Sequence, residues 1–215
     1  MVSVIRSEDF QTVAGKLAEI GQGFYARGWV LGTSGNFSAV LSRDPLRVAI
    51  SASGVDKGAI TAGQILLIDQ RAEVLGDNQG KPSDETSLHL MLIGKLGANA
   101  VLHTHSVWST MLSDLDATEN GLVIEGYEML KGLSGVSTHK HREWLPIFEN
   151  SQEMDALAEN ISQHLDENPN THGFLLRRHG LYTWGNSVAQ AKRHVEIFEF
   201  LLEAVGRTRL MQAGY

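Results

Sequence analysis

Cysteine is absent from the 215 residues. With it go disulfide frameworks and thiolate ligands, so any metal held by this chain is held by histidine, carboxylate or water. Long apolar runs are missing too. No stretch approaches the ~20 residues that span a bilayer, and residues 1–6 lack the apolar core of a signal peptide. The chain is therefore expected to be soluble and cytoplasmic, with no membrane partner. Positive charge is scarce: 18 Lys and Arg against 25 Asp and Glu leave a net charge of −7. No basic cluster exists to neutralise a run of phosphates, which excludes nucleic acid as a partner and means that substrate charge must be met locally. There is no internal repeat, no low-complexity tract, no composition break and no glycine-rich dinucleotide fingerprint, so one domain over residues 1–215 is expected.

Against these absences, chemistry is concentrated in Ala100-Val101-Leu102-His103-Thr104-His105, an apolar run ending in two histidines one residue apart. On a strand, period-two alternation sends His103 and His105 to one face, close enough to share an ion. Catalytic zinc requires a third protein ligand. His179 is the candidate, because it precedes Gly180 inside the apolar stretch 173–185, and a glycine within a strand marks a bulge or close backbone approach that re-aims its neighbour. His139-Lys140-His141 repeats the spacing but follows no apolar run and carries a lysine between its imidazoles, so it ranks below. His89, His164, His172 and His194 fall on helices or a loop without a convergent partner and read as structural.

Around these positions, Phe10, Val13, Leu17, Ile20 and Phe24 recur at helical steps between Ser7, placed to cap, and Gly28, placed to stop. Two loops rich in small and hydroxyl residues follow, Thr33-Ser34-Gly35-Asn36 before a strand over 37–41 and Ser51-Ala52-Ser53-Gly54 after a strand over 48–50. Such loops let backbone N–H groups and hydroxyls close on an anion, although each alone reads as an ordinary turn. A strand at 65–69, a turn at 76–80 and a helix opened by Ser83, Asp84 or Glu85 and closed at Gly97 come next. Ser106 caps a short helix to Leu115; strands at 122–124 and 144–148 flank a turn over 126–132. A helix over 151–165, one strand over 173–185 and a helix over 187–211 complete the chain. Short strands with irregularly placed helices predict an α/β fold with a mostly antiparallel central sheet.

With these pieces in order, the chain resembles the class II aldolase/adducin family over nearly its whole length. The resemblance is carried by Thr33-Ser34-Gly35-Asn36-Phe37-Ser38, Ser51-Ala52-Ser53-Gly54, Pro82-Ser83-Asp84-Glu85, His103-Thr104-His105 and Arg178-His179-Gly180, in family order. It implies a central antiparallel sheet flanked by helices, one zinc per subunit on His103, His105 and His179, and a tetramer with sites between subunits. It also implies a sugar phosphate held by Ser34, Gly35, Asn36, Ser53, Gly54 and Ser83 beside Glu85. Glu128-Met129-Leu130-Lys131-Gly132 and Leu145-Pro146-Ile147-Phe148-Glu149-Asn150 look most like the branch that dehydrates a methylthio-ketose 1-phosphate in methionine salvage, where Glu128 takes the place of the acid/base glutamate. Glu85 stands where family aldolases keep their catalytic glutamate, so a sugar-phosphate aldolase or epimerase remains the alternative. A non-catalytic adducin-like module is disfavoured by the intact histidines.

Overall fold

The computed structural model describes residues 7–77 and 80–214. The capping side chain of Ser7, the turn residues Asn78 and Gln79 and the start of the chain at 1–6 lie outside what is described. The first helix, α1 (Ser7–Ala26), buries Ala14, Leu17 and Phe24 and ends before Gly28, which takes φ +75°. Strands β1 (Asn36–Arg43), β2 (Leu46–Ser51) and β3 (Ile65–Ile68) form an antiparallel meander. Helix α2 (Thr86–Leu96) then leads through Gly97, left-handed at φ +66°, into β4 (Ala100–Thr104). The short α3 (Val107–Leu115) is capped as its sequence implies, Ser106 Oγ accepting from Ser109 N–H.

The second half contains β5 (Gly121–Glu125), a 3₁₀ turn at Glu128–Gly132, β6 (Arg142–Phe148) and α4 (Met154–Glu167). Strands β7 (Gly173–Leu176) and β8 (Gly180–Gly185) follow, and α5 (Val188–Gln212) closes the chain. Among the described residues eight strands lie in one sheet, ordered β3-β2-β1-β4-β8-β7-β6-β5, and every neighbouring pair is antiparallel except β6–β7. Among the described residues no helix is long and apolar enough to cross a membrane.

Alternation along β4 explains the layering. Val101 faces a core shared with Leu88 and Leu92 of α2 and Leu157 and Ile161 of α4. Ala100 and Leu102 face the opposite core, built with α1 and the start of α5. The remainder of α5 and α3 cover β5 to β8 through Phe198, Leu201, Leu112 and Leu175. Val101 and Leu102 are fully buried, and side chains of this size contribute ~1.5–3 kcal/mol each when taken from water. That gain offsets the burial of His103 on the same strand.

One element differs from the sequence reading. The stretch 173–185 is a hairpin and not a single strand: β7 and β8 pair with Leu176 opposite Gly180, and Arg178 turns the chain at φ +54°. The glycine does mark a close approach. A Cβ on Gly180 would sit 1.9 Å from the carbonyl oxygen of Thr104, so only glycine lets β8 lie against the end of β4 here.

Candidate metal centre and anion recess

His103 lies in the last turn of pleat before β4 ends, its backbone paired with Asn36 of β1 and Tyr182 of β8. Its ring is fully buried and stacks on Tyr182 at 3.9 Å between centroids, and Tyr182 stacks in turn on Phe174. His103 Nδ1–H donates to the Leu181 carbonyl at 2.9 Å, which leaves Nε2 as the free lone pair. His105, just beyond the strand, presents Nε2 to the same side, as alternation requires. His179 arrives from the β7–β8 turn, which is clamped to α3: Thr110 Oγ1 donates to the His179 carbonyl, Ser113 Oγ accepts the Arg178 N–H, and Asp114 pairs with Arg177 and Arg178.

The three Nε2 atoms are 2.7 Å (His103–His105), 3.0 Å (His105–His179) and 3.3 Å (His103–His179) apart. Two imidazole nitrogens bound tetrahedrally at ~2.0–2.1 Å stand about 3.3 Å apart, so the triangle is of metal-binding size. Glu85 closes it, with Oε1 3.4 Å from His103 Nε2 and 3.2 Å from His179 Nε2. That oxygen is buried and has no hydrogen-bond partner. Burial and the charge of His103 and His179 lower the pKa of His105 to about 2, and burial and the charge of His103 lower that of His179 to about 4. Both rings therefore stay neutral and offer lone pairs near pH 7. Burial alone would raise the Glu85 carboxyl; the neighbouring His103 and His179 rings and the Tyr182 hydroxyl hold it below the usual carboxylate range. Three lone pairs and an orphaned carboxylate oxygen facing one point fit a divalent cation.

Glu85 is the N-cap residue of α2, yet its carboxylate makes no cap hydrogen bond and reaches the histidines instead. A buried relay fixes it: Ser38 Oγ–H meets His89 Nδ1 at 2.7 Å, His89 Nε2–H donates to Asn36 Oδ1, and Asn36 Nδ2 donates to Glu85 Oε2 at 2.6 Å. Burial and the charge of His103 lower His89 to about 3, so this ring is neutral, as the relay demands. The sequence reading treated His89 as structural and Asn36 as a ligand to substrate; the structure engages both ends of the Asn36 amide in holding Glu85.

Beside the cluster lies a small recess of about 90 Å³ lined by Ser34, Gly35, Asn36, Ser53, Gly54, Ser83, Glu85 and His105. The residues expected at the substrate thus converge, drawn from the two loops and from the approach to α2. Gly35 takes φ +73° and leaves no room for a Cβ, which would meet the His103 carbonyl at 2.7 Å. Lys57 also lines the recess and had no signal in the sequence beyond being a lysine after a turn. It is 1% exposed, its Nζ bridges the carbonyls of Thr33 and Val55, and burial lowers its pKa to about 8 against the opposing pull of Asp56 and Glu85. Asp84, by contrast, is exposed.

Glu128 is not brought to this cluster within one chain. Its carboxylate is exposed, pairs with Lys131 Nζ at 2.6 Å and lies 3.8 Å from His139. The Lys131 hydrogen bond and charge hold its pKa below the ordinary value.

The family model for the Class II Aldolase and Adducin N-terminal domain matches residues 15–205. The chain belongs to the class II aldolase and adducin family. Among curated members of the family, it is 41% identical over 197 residues to a methylthioribulose-1-phosphate dehydratase of Sorangium cellulosum, covering 90% of this chain and 91% of that one. It is 43% identical over 190 residues to a protein of the same name from Yersinia enterocolitica, covering 88% and 89%. Its fold matches an L-fuculose 1-phosphate aldolase at TM-score 0.77 and 21% identity, over 97% of this chain and 90% of that one. The L-fuculose-1-phosphate aldolase of Thermus thermophilus matches at TM-score 0.73 and 21% identity, over 94% and 98%. The antiparallel sheet flanked by helices that this family implies is the fold observed, and the His/Glu cluster is a group of side chains that could hold a metal ion.

Proposed function

We propose that this chain is a zinc-dependent hydro-lyase that converts 5-methylthioribulose 1-phosphate to 2,3-diketo-5-methylthiopentyl 1-phosphate and water, a methionine-salvage step. The observation that carries the reading is the convergence of His103, His105, His179 and Glu85 at the edge of a recess lined by small polar loops, in a chain 41–43% identical to dehydratases of that name.

His103, His105 and His179 would hold the ion, which supplies Lewis acidity toward a ketose carbonyl. Ser34, Ser53, Gly54 and Ser83 donate to the phosphate, with Lys57 beneath them as the local positive charge that the chain otherwise lacks. Asn36 and Gly35 act by placement, one holding Glu85 and the other allowing the loop to meet β4. The reaction needs a proton taken from C3 and one delivered to the departing C4 hydroxyl; the resulting enol becomes the diketone, with no electrons exchanged. Glu85 stands where a proton can be received beside the metal. Glu128 is the acid/base residue at the leaving hydroxyl, delivered by a neighbouring copy in a tetramer. Burial at such an interface would raise its pKa toward the working range, which its exposed pairing with Lys131 in one chain does not. Sedimentation measures the subunit count.

The position of Glu85 favours a second reading, cleavage of C3–C4 by an aldolase. Mass spectrometry of the product decides between them. Loss of one water, abolished in Glu128→Gln with zinc retained, supports the dehydratase; dihydroxyacetone phosphate plus an aldehyde, abolished only in Glu85→Gln, establishes the aldolase.

A further inference from the structure

A second group of metal-ligating side chains converges away from this site. The ligand atoms of His141, Glu143 and His172 lie within 4.8 Å of one another. His141 Nε2 is 2.6 Å from Glu143 Oε2, and His172 Nδ1 is 3.0 Å from both Glu143 oxygens. On its far side His172 Nε2–H donates to the Ser134 carbonyl at 2.8 Å. In a neutral ring this leaves Nδ1 as the lone pair, directed at a carboxylate that is 2% exposed. Two acceptors cannot face each other buried without positive charge between them. A carbonyl behind the distal nitrogen is also how metal-bound imidazoles are oriented, and His103 is held in that way in the first cluster.

The position in the fold gives such a site a task. Among the described residues β6 and β7 form the one parallel pair in the sheet, with Ile147 opposite Leu175 and Phe148 opposite Leu176. Toward their beginnings the ladder is open, and there Glu143 of β6 meets His172 at the entry to β7, while His141 and Ser134 belong to the loop that follows the Glu128 turn. A cleft of about 360 Å³ touching His141 and Glu143 gives water access for a further ligand. We infer that His141, Glu143 and His172 form a second, structural site for a borderline divalent cation such as Zn²⁺, stapling the open end of the β6–β7 pair to the loop after residue 132. Two imidazoles and one carboxylate suit zinc or its neighbours and do not suit calcium or magnesium.

The test is calorimetric titration of metal-free, full-length protein with Zn²⁺ alone, together with thermal unfolding. Wild type is expected to take up two equivalents per chain; His141→Ala and His172→Gln one; His103→Ala one, the other class being lost. The second equivalent should raise the unfolding temperature of wild type and leave that of His141→Ala unchanged. His139→Ala, altering the exposed neighbour outside the cluster, should keep both. A single equivalent in wild type that His141→Ala does not alter would overturn the inference and leave a protonated His172 as the charge on Glu143, as would loss of the second equivalent in His139→Ala. Failure of the first centre reads differently, as a His103→Ala protein that binds zinc as wild type does.

Discussion

At the scale of single residues, the groups that decide the site's chemistry are those whose partners come from far along the chain. Lys57 bridges two loops from below, and its charge is the one cation placed at the recess among the described residues. Lys57→Met should raise KM for the phosphorylated substrate by about tenfold or more, the loss of one charge-assisted contact. Zinc content should be unaltered; steady-state kinetics with metal analysis checks both. Glu199 gives a pH signature. It is buried on α5, accepts from Thr104 Oγ1 at 2.5 Å, and burial raises its pKa from 4.5 to about 7. The folded state therefore binds the proton more tightly than the unfolded state. Stability is lost as pH rises from about 4.5 to 7, and the whole cost, roughly 3 kcal/mol, is present above 7. Glu199→Gln removes the titration, so its unfolding temperature relative to wild type should climb between pH 5 and pH 8; a constant difference would refute the assignment. None of this was legible in the sequence. Lys57, His89, Tyr182 and Glu199 sit in unremarkable local patterns, and the burial of each is a product of how distant elements pack on the sheet.

At the scale of elements, legibility followed periodicity. The helices and most strands were readable because their apolar spacing is set locally, and the His-X-His pair was readable because a strand's alternation is a local property too. The β7–β8 hairpin was not, since Arg177-Arg178-His179 carries neither proline nor an Asn-Gly turn and takes its shape from Ser113, Thr110 and Asp114 of α3. His179 does join the cluster, but not for the reason its sequence suggests: it is aimed by a turn, and Gly180 serves the strand behind it. Gly180→Ala drives a methyl into the Thr104 carbonyl. Overpacking of this kind costs ~1–3 kcal/mol, and here the displaced elements are the two that carry the candidate ligands. The variant should fold with a lowered unfolding temperature and bind zinc much more weakly. Retained zinc affinity would show that β4 and β8 can separate without moving the triad.

At the scale of the whole molecule, the sheet divides into two leaves, β1–β4 from the first half of the chain and β5–β8 from the second, joined along the β4–β8 ladder. The histidine cluster sits on that seam, with His103 and His105 on one leaf and His179, 74 to 76 residues later, on the other. A bound ion closes a loop of that length, and the chain-entropy relation for such a cross-link gives on the order of 4 kcal/mol. Chelation should therefore lower the unfolding temperature by about 10 °C, with zinc restoring it; an unchanged transition would show that the ion adds nothing to the seam. The consequence reaches beyond catalysis. With an ion on these side chains, a protein without cysteine would obtain through this geometry what others obtain from a disulfide, but with a different key: reductants would leave the fastening intact, and metal scarcity would undo it.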